Sequence, residues 1–231
     1  MKATLTEVEP LQMIHGGLVV SCMADPGEPF FGSENMVLMA SAAKSGGAAG
    51  IRANGPEDIA AIRVKVDLPI IGLFVDHTPG FSVSITPGIR QAEIIADAGA
   101  DLIEIDGTQM PHPQGVSVEE LIRQIKRRTG KPVIADVSTA MEGILAAKMG
   151  ADAIMTTLAG YTNYSQNTAD PDFGMVATLA KRLQVPVLAK GRFNFPEEAR
   201  KAIELGAYAV IVGSAITRPQ FITEQFVKAI H

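Results

Sequence analysis

Short aliphatic and β-branched runs alternate along the chain with longer stretches whose apolar positions recur at helical spacing. The runs predict strands near Gly17–Cys22, Ala48–Arg52, Pro69–Val75, Asp101–Asp106, Pro132–Asp136, Ala151–Thr156, Pro186–Lys190 and Ala207–Val212. The intervals predict helices over Ser33–Ser45, Glu57–Lys65, Ile89–Ala98, Ser117–Arg128, Thr139–Met149, Asp172–Arg182, Pro196–Leu205 and Thr217–Ile230. Ser117 with Glu120, and Thr139 with Glu142, have the three-residue offset of a capping box, in which each side chain satisfies a free N–H of the first helical turn.

The punctuation repeats as well. Ala98-Gly99-Ala100-Asp101, Met149-Gly150-Ala151-Asp152 and Leu205-Gly206-Ala207-Tyr208 each close a helix on glycine and open a strand. Eight such strand–helix units in 231 residues predict an α/β fold, a single-domain (β/α)8 TIM barrel over residues 1–231. No Gly-x-Gly-x-x-Gly follows the first strand, which removes a dinucleotide site. The polar loop Gly160–Pro171 is the longest clear connection and a candidate lid.

Composition narrows the function. Of the residues 47% are apolar and 19% charged, which supplies a core and excludes disorder. A net charge of −5 argues against sequence-independent nucleic-acid binding, which needs a basic face. One cysteine and 4 scattered histidines offer neither a disulfide framework nor a protein-only metal site. No apolar run approaches membrane-spanning length, and the first 17 residues lack the apolar stretch of a signal peptide. These features predict a reduced, cytoplasmic, soluble protein with no protein-only metal site, no nucleic-acid partner and no membrane-spanning segment. Self-association into a homo-oligomer stays open.

In such barrels chemistry comes from the C-terminal ends of the strands. Gly191-Arg192 and Gly213-Ser214 follow the last two strands, where backbone N–H groups beside glycine form an anion site. With Arg218 they predict a phosphate site, to which Thr157 at the sixth strand end is added. Arg52, Asp106, Asp136 and Lys190 end other strands, and a charge there must be paired or used. A structural ion pair between Arg52 and an Asp under the loops competes with substrate binding for these groups. Period-2 alternation puts Glu104 on the face of Asp106, one layer deeper, with Lys190 as its nearest partner. Asp76 and His77 follow the third strand and are further proton-transfer candidates, with solvation as the alternative for His77. Cys22, Met36 and Met39 read as core, and His15 and His112 as solvated loop residues.

Several stretches together resemble one family. They include Gly50-Ile-Arg-Ala-Asn-Gly55, Ile85-Thr-Pro87, Thr156-Thr-Leu-Ala-Gly-Tyr-Thr162, Gly191-Arg192 with Pro196-Glu-Glu-Ala199, and Val212-Gly-Ser-Ala-Ile-Thr-Arg-Pro219. From about Gly16 onward the chain is similar to the N-acetylmannosamine-6-phosphate 2-epimerases. The resemblance implies an epimerase acting on an N-acylamino-sugar 6-phosphate by proton abstraction next to the carbonyl carbon, without metal or nucleotide. It retains Arg52, Asp106, Asp136, Arg192 and Arg218. The family pattern has a Lys at the third strand end and a Glu at the seventh; Val75 and Lys190 stand there in this chain. Met23 and Met110 stand where the pattern has Gln and Arg.

Valine neither takes nor gives a proton, so three expectations follow. The first is an epimerase whose base is Lys190, with Glu104, or Asp76 and His77, as the second proton group. The second is another sugar-phosphate enzyme in which Lys190 forms a Schiff base. The third is a sugar-phosphate-binding protein without catalysis.

Overall fold

The computed structural model describes residues 9–230 other than Thr168, so eight residues of the N-terminal stretch read above as lacking a signal peptide lie outside it. Eight parallel strands close into one barrel in sequential order: β1 (Leu18–Cys22), β2 (Gly50–Asn54), β3 (Ile70–Leu73), β4 (Leu102–Asp106), β5 (Val133–Asp136), β6 (Ala153–Met155), β7 (Val187–Lys190) and β8 (Ala209–Val212). The helices are α1 (Glu9–Met13), α2 (Ser33–Ser45), α3 (Gly55–Lys65), α4 (Ile89–Asp97), α5 (Val118–Thr129), α6 (Ala140–Lys148), α7 (Phe173–Arg182), α8 (Pro196–Glu204), α9 (Ser214–Thr217) and α10 (Pro219–Ile230). Each predicted strand is present, shortened at one end, at both ends for β3 and β6, or shifted by two residues for β2. The predicted last helix begins three residues earlier, at Ser214, and is broken at Arg218, because Pro219 has no N–H to continue the ladder. Helix α1 was not foreseen: five residues are too few to show a helical period.

Alternation along each strand sorts its side chains into two layers. Val19, Ile71, Leu102, Ile134, Met155, Leu188 and Ile211 fill the barrel interior, with Leu11 and Ile14 from the α1 region in the same cluster. Ile51, Ile70, Ile103 and Ile105 face outward and pack with Ile59, Ile62, Ile95, Leu121 and Leu179 of the helices. The repeated glycine punctuation has its predicted cause: Gly99, Gly150 and Gly206 follow α4, α6 and α8 with φ of 109°, 97° and 99°, a region L side chains rarely adopt. The Thr139–Glu142 capping box forms in full, whereas at α5 only the Ser117 half is made, its hydroxyl accepting from the Glu120 N–H at 3.2 Å.

One helix departs from the layered scheme. Helix α10 buries none of its side chains, and Ile222, Phe226, Val227 and Ile230 are exposed. No helix among the described residues is long and apolar enough to cross a membrane.

Candidate active site

Strand register carries the polar residues to one rim. Asp106 lies opposite Asp136, Arg52 opposite Ser21, and Lys190 opposite Ile211. Arg52 and Glu104 belong to β2 and β4, which are separated by β3. Their side chains nevertheless meet, so both must point into the barrel. Arg52 Nε donates to Glu104 Oε2 at 2.7 Å and Nη2 to Oε1 at 2.6 Å, a bidentate pair in which the residues are 4% and 0% exposed. Arg52 Nη1 donates to Ser21 Oγ at 3.2 Å. Glu104 is thus inward and partnered as expected, but its partner is Arg52 and not Lys190. The cause is geometric, since a planar guanidinium meets a carboxylate through two parallel bonds and an ammonium does not. Arg52, expected to bind substrate, is committed to this floor.

Lys190 stands above that floor without such a partner. Among the described residues its ammonium reaches no carboxylate within ion-pair distance. Burial first, and then the nearby Arg52 cation, push its pKa down to about 8, while Glu104 and Asp136 pull the other way. Asp136 shows the opposite displacement. Burial and then the Glu104 charge hold its carboxyl well above the usual range, against the pull of Lys190 and Arg52. Asp136 Oδ1 accepts from the Leu158 N–H at 3.3 Å, whereas Oδ2, like the Thr157 hydroxyl, is buried without a hydrogen-bond partner among the described residues. The two groups are neighbours: the Thr157 hydroxyl and the Glu104 carboxylate both lie against the Asp136 carboxyl group.

Beside Lys190 a cavity of about 370 Å³ opens between the ends of β6, β7 and β8. Thr157, Lys190, Gly191, Arg192, Gly213 and Ser214 line it, with Tyr161, Phe193 and Phe221. Gly191 and Arg192 both have positive φ, 109° and 60°. For an arginine this conformation costs about 1–3 kcal/mol, and such strain gathers at functional sites. The first turn of α9 adds N–H groups with no intrahelical acceptor. Arg192 itself donates to the Ala159 carbonyl at 2.7 Å and to Asn167 Oδ1 at 3.3 Å, and lies 4.7 Å over the Tyr161 ring. The loop between β6 and α7 is thereby drawn against the cavity. Lys190, Thr157, Gly191, Arg192, Gly213 and Ser214, singled out in the sequence, therefore meet around one space.

Other candidates are placed elsewhere. Arg218 pairs with Asp25 at 3.2 Å and with Glu28, tying the loop after β1 to the turn after α9. Asp106 is occupied by Thr108, whose N–H and hydroxyl donate to its Oδ1 at 2.8 and 2.6 Å. Asp76 Oδ2 accepts from Gln91 Nε2 at 2.7 Å, and His77 is exposed. His112 corrects the sequence expectation. It is buried, not solvated, and neither ring nitrogen has a partner among the described residues. Its loop lines a cavity together with Met110, Val116 and residues of α6, and no pattern in a polar, proline-bracketed segment announces that. Glu142 was legible as a helix cap, but not as the meeting point of three loops: Gln109 N–H, Ser138 and the Tyr164 hydroxyl all donate to it.

Comparison with known proteins places the chain in one family. The family model described as "Putative N-acetylmannosamine-6-phosphate epimerase" matches residues 36–231. A "Putative N-acetylmannosamine-6-phosphate 2-epimerase" of Caldanaerobacter subterraneus subsp. tengcongensis is 46% identical over 225 residues, 97% of this chain and 95% of that protein. The solved N-acetylmannosamine-6-phosphate 2-epimerase of Clostridium perfringens superposes with a TM-score of 0.93 at 40% identity, covering 99% of this chain and 100% of its own. At 16% identity and a TM-score of 0.63, the deoxyribose phosphate aldolase of Aeropyrum pernix shares the fold alone, over 94% of this chain and 93% of its own. The chain belongs to the N-acetylmannosamine-6-phosphate epimerase family.

Proposed function

We propose that the protein interconverts N-acetylmannosamine 6-phosphate and N-acetylglucosamine 6-phosphate, with Lys190 as one proton-transfer group and Asp136 as the other. One observation carries this assignment: Lys190 lines the cavity at the end of β7 with no ion-pair partner among the described residues, close enough to the buried Asp136 carboxyl group for each to act on the other's titration, Lys190 toward the neutral amine and Asp136 toward the protonated acid. The phosphate sits on the backbone N–H groups of Gly191, Arg192, Gly213 and Ser214, and Arg192 supplies the cation. The open-chain aldehyde then lies toward Lys190 and Asp136. In one direction the Lys190 amine takes the C2 proton. The C–H electron pair becomes the C1–C2 π bond while the carbonyl π pair moves onto the aldehyde oxygen, giving the enolate. Asp136 returns a proton to C2 on the opposite face. The pair passes from neutral amine and acid to ammonium and carboxylate, so the net charge of the mouth is unchanged and the reverse reaction starts from the exchanged state. The Arg52–Glu104 floor is the fixed dipole against which both groups titrate.

Val75 and Lys190, in place of the family pattern's Lys and Glu, are part of this reading: the base has moved across the mouth from β3 to β7. The experiment is proton NMR of N-acetylmannosamine 6-phosphate with the protein in D2O, followed by borohydride. Appearance of the glucosamine epimer with deuterium at C2, and no reductive attachment to Lys190, is expected. Attachment to Lys190 would replace the proton-transfer mechanism with a Schiff-base one. Binding without exchange would reduce the protein to a sugar-phosphate-binding one.

Self-association is also part of the proposal. The uncovered face of α10 suits a second copy of the chain. Sedimentation of the wild type and of Phe226→Glu tests it, and a monomer at all concentrations rejects it.

A further inference from the structure

We propose that Glu142 is a positioning residue: through Tyr164 it holds the β6–α7 loop over the mouth, and this clasp sets how tightly the phosphorylated substrate is bound. The inference rests on the sugar-phosphate reading above. Glu142 is only 1% exposed in the first turn of α6. Capping that helix uses one of its oxygens, Oε2, which accepts from the Ser138 N–H at 2.9 Å, the Ser138 hydroxyl at 2.7 Å and the Thr139 N–H at 3.0 Å. The other oxygen has a different task. Oε1 accepts from the Gln109 N–H at 3.0 Å, in the loop after β4, and from the Tyr164 hydroxyl at 2.6 Å, in the loop after β6. A carboxylate buried without a cation among its partners is costly, and five donors from three loops offset the cost.

Beside Glu142, the Tyr164 hydroxyl lies against Ser138 and Thr108, so every polar tie of this side chain is made at its hydroxyl. Its side chain is 48% exposed, so its hydroxyl, and not ring burial, fixes the loop. From Tyr164 the loop runs to both ends of the site. Thr162 Oγ1 donates to Ser138 Oγ at 3.1 Å, and Ser165 Oγ accepts from the Gly160 N–H at 3.0 Å, closing the segment on itself. Leu158 N–H then reaches Asp136, Ala159 offers its carbonyl to Arg192, and Tyr161 lies under the Arg192 guanidinium and lines the cavity. Release of Tyr164 therefore loosens the segment that touches the phosphate cation and the proposed acid together.

Tyr164→Phe removes the one hydroxyl and leaves the helix cap intact. Two readouts decide the matter. Amide hydrogen exchange needs no substrate, and Leu158–Ser165 is expected to exchange faster in the variant while α5 and α6 stay as protected as in the wild type. In kinetics, KM for N-acetylmannosamine 6-phosphate is expected to rise about tenfold with kcat within about twofold, the effect of one charge-assisted bond. Glu142→Gln should raise KM at least as much. Unchanged exchange in Tyr164→Phe overturns the clasp. Faster exchange with unchanged KM overturns its part in binding, as does a fall in kcat at constant KM, which a purely structural role would give. Should the wild type turn over no amino-sugar phosphate, the failure falls on the proposed reaction. The clasp is then judged by the same exchange together with affinity for inorganic phosphate, which must drop in the variant.

Discussion

The floor of the barrel and its mouth treat buried charge in opposite ways. On the floor Arg52 and Glu104 satisfy each other through two parallel bonds, and Ser21 takes a further guanidinium N–H. At the mouth, one layer higher, Lys190 has no ion-pair partner among the described residues and Asp136 keeps an oxygen with no donor. The four groups sum to zero charge when all are ionised, and also when Lys190 gives up its proton and Asp136 holds one. The floor pair has no reason to change state, whereas the mouth pair sits near the balance point. Proximity to a strand end alone does not separate the two pairs; Lys190 and Asp136, the proposed proton-transfer groups, differ from the floor in lacking a bidentate ion-pair partner among the described residues.

Lys190→Met breaks the mouth and should give the largest effect. Removal of a general base costs about 10²–10⁴-fold in kcat/KM. The fold should survive, because Glu104 keeps Arg52. The direction for stability follows from the lowered pKa. Below about 8 the folded state must hold an ammonium it disfavours, so methionine should not lower Tm at pH 7, and any gain should vanish at a pH where lysine is neutral in both states. In the wild type, kcat/KM should rise about tenfold per pH unit toward pH 8 as the amine is freed, and this limb belongs to the coupled pair and not to Lys190 alone.

Breaking the floor should act on stability instead. Arg52→Leu strands a buried carboxylate, for which about 3–5 kcal/mol is expected in denaturant unfolding. The same variant removes a cation from beside Lys190, so the limb near pH 8 should move to higher pH. A floor variant with unaltered stability and pH profile would erase the distinction between floor and mouth. Arg192→Ala should be milder, weakening phosphorylated ligands about tenfold in calorimetry while leaving unphosphorylated sugars within twofold. Arg218→Ala should be the mildest. Its pairs with Asp25 and Glu28 lie at a partly exposed rim, worth about 0–1 kcal/mol, and a large loss of phosphate affinity there would return Arg218 to the site.

Much of this was legible in the sequence where the code is local. The repeated Gly-Ala pairs named the helix stops because a left-handed residue is needed there, and Gly99, Gly150 and Gly206 adopt it. Period-2 alternation put Glu104 inside the barrel, and strand ends gathered Thr157, Lys190, Gly191, Arg192, Gly213 and Ser214 around one cavity. What escaped was partner choice. Glu104 had two cations within reach of the same logic, and only the depth of Arg52 and the fork of its guanidinium decide between them. Arg218 carries a motif that matches the family, yet the acids that engage it lie almost the whole chain away in sequence. His112 and the second oxygen of Glu142 depend on how three loops stack, which no single segment encodes.

The division of labour between Lys190 and Asp136 is most directly tested by isotope exchange in Asp136→Asn. With one proton-transfer group left, the variant should exchange the C2 hydrogen of one epimer with D2O and fail to convert it into the other, while Lys190→Met exchanges the opposite epimer or neither. Epimerisation by Asp136→Asn at the wild-type rate, with deuterium appearing in both sugars, would contradict the account.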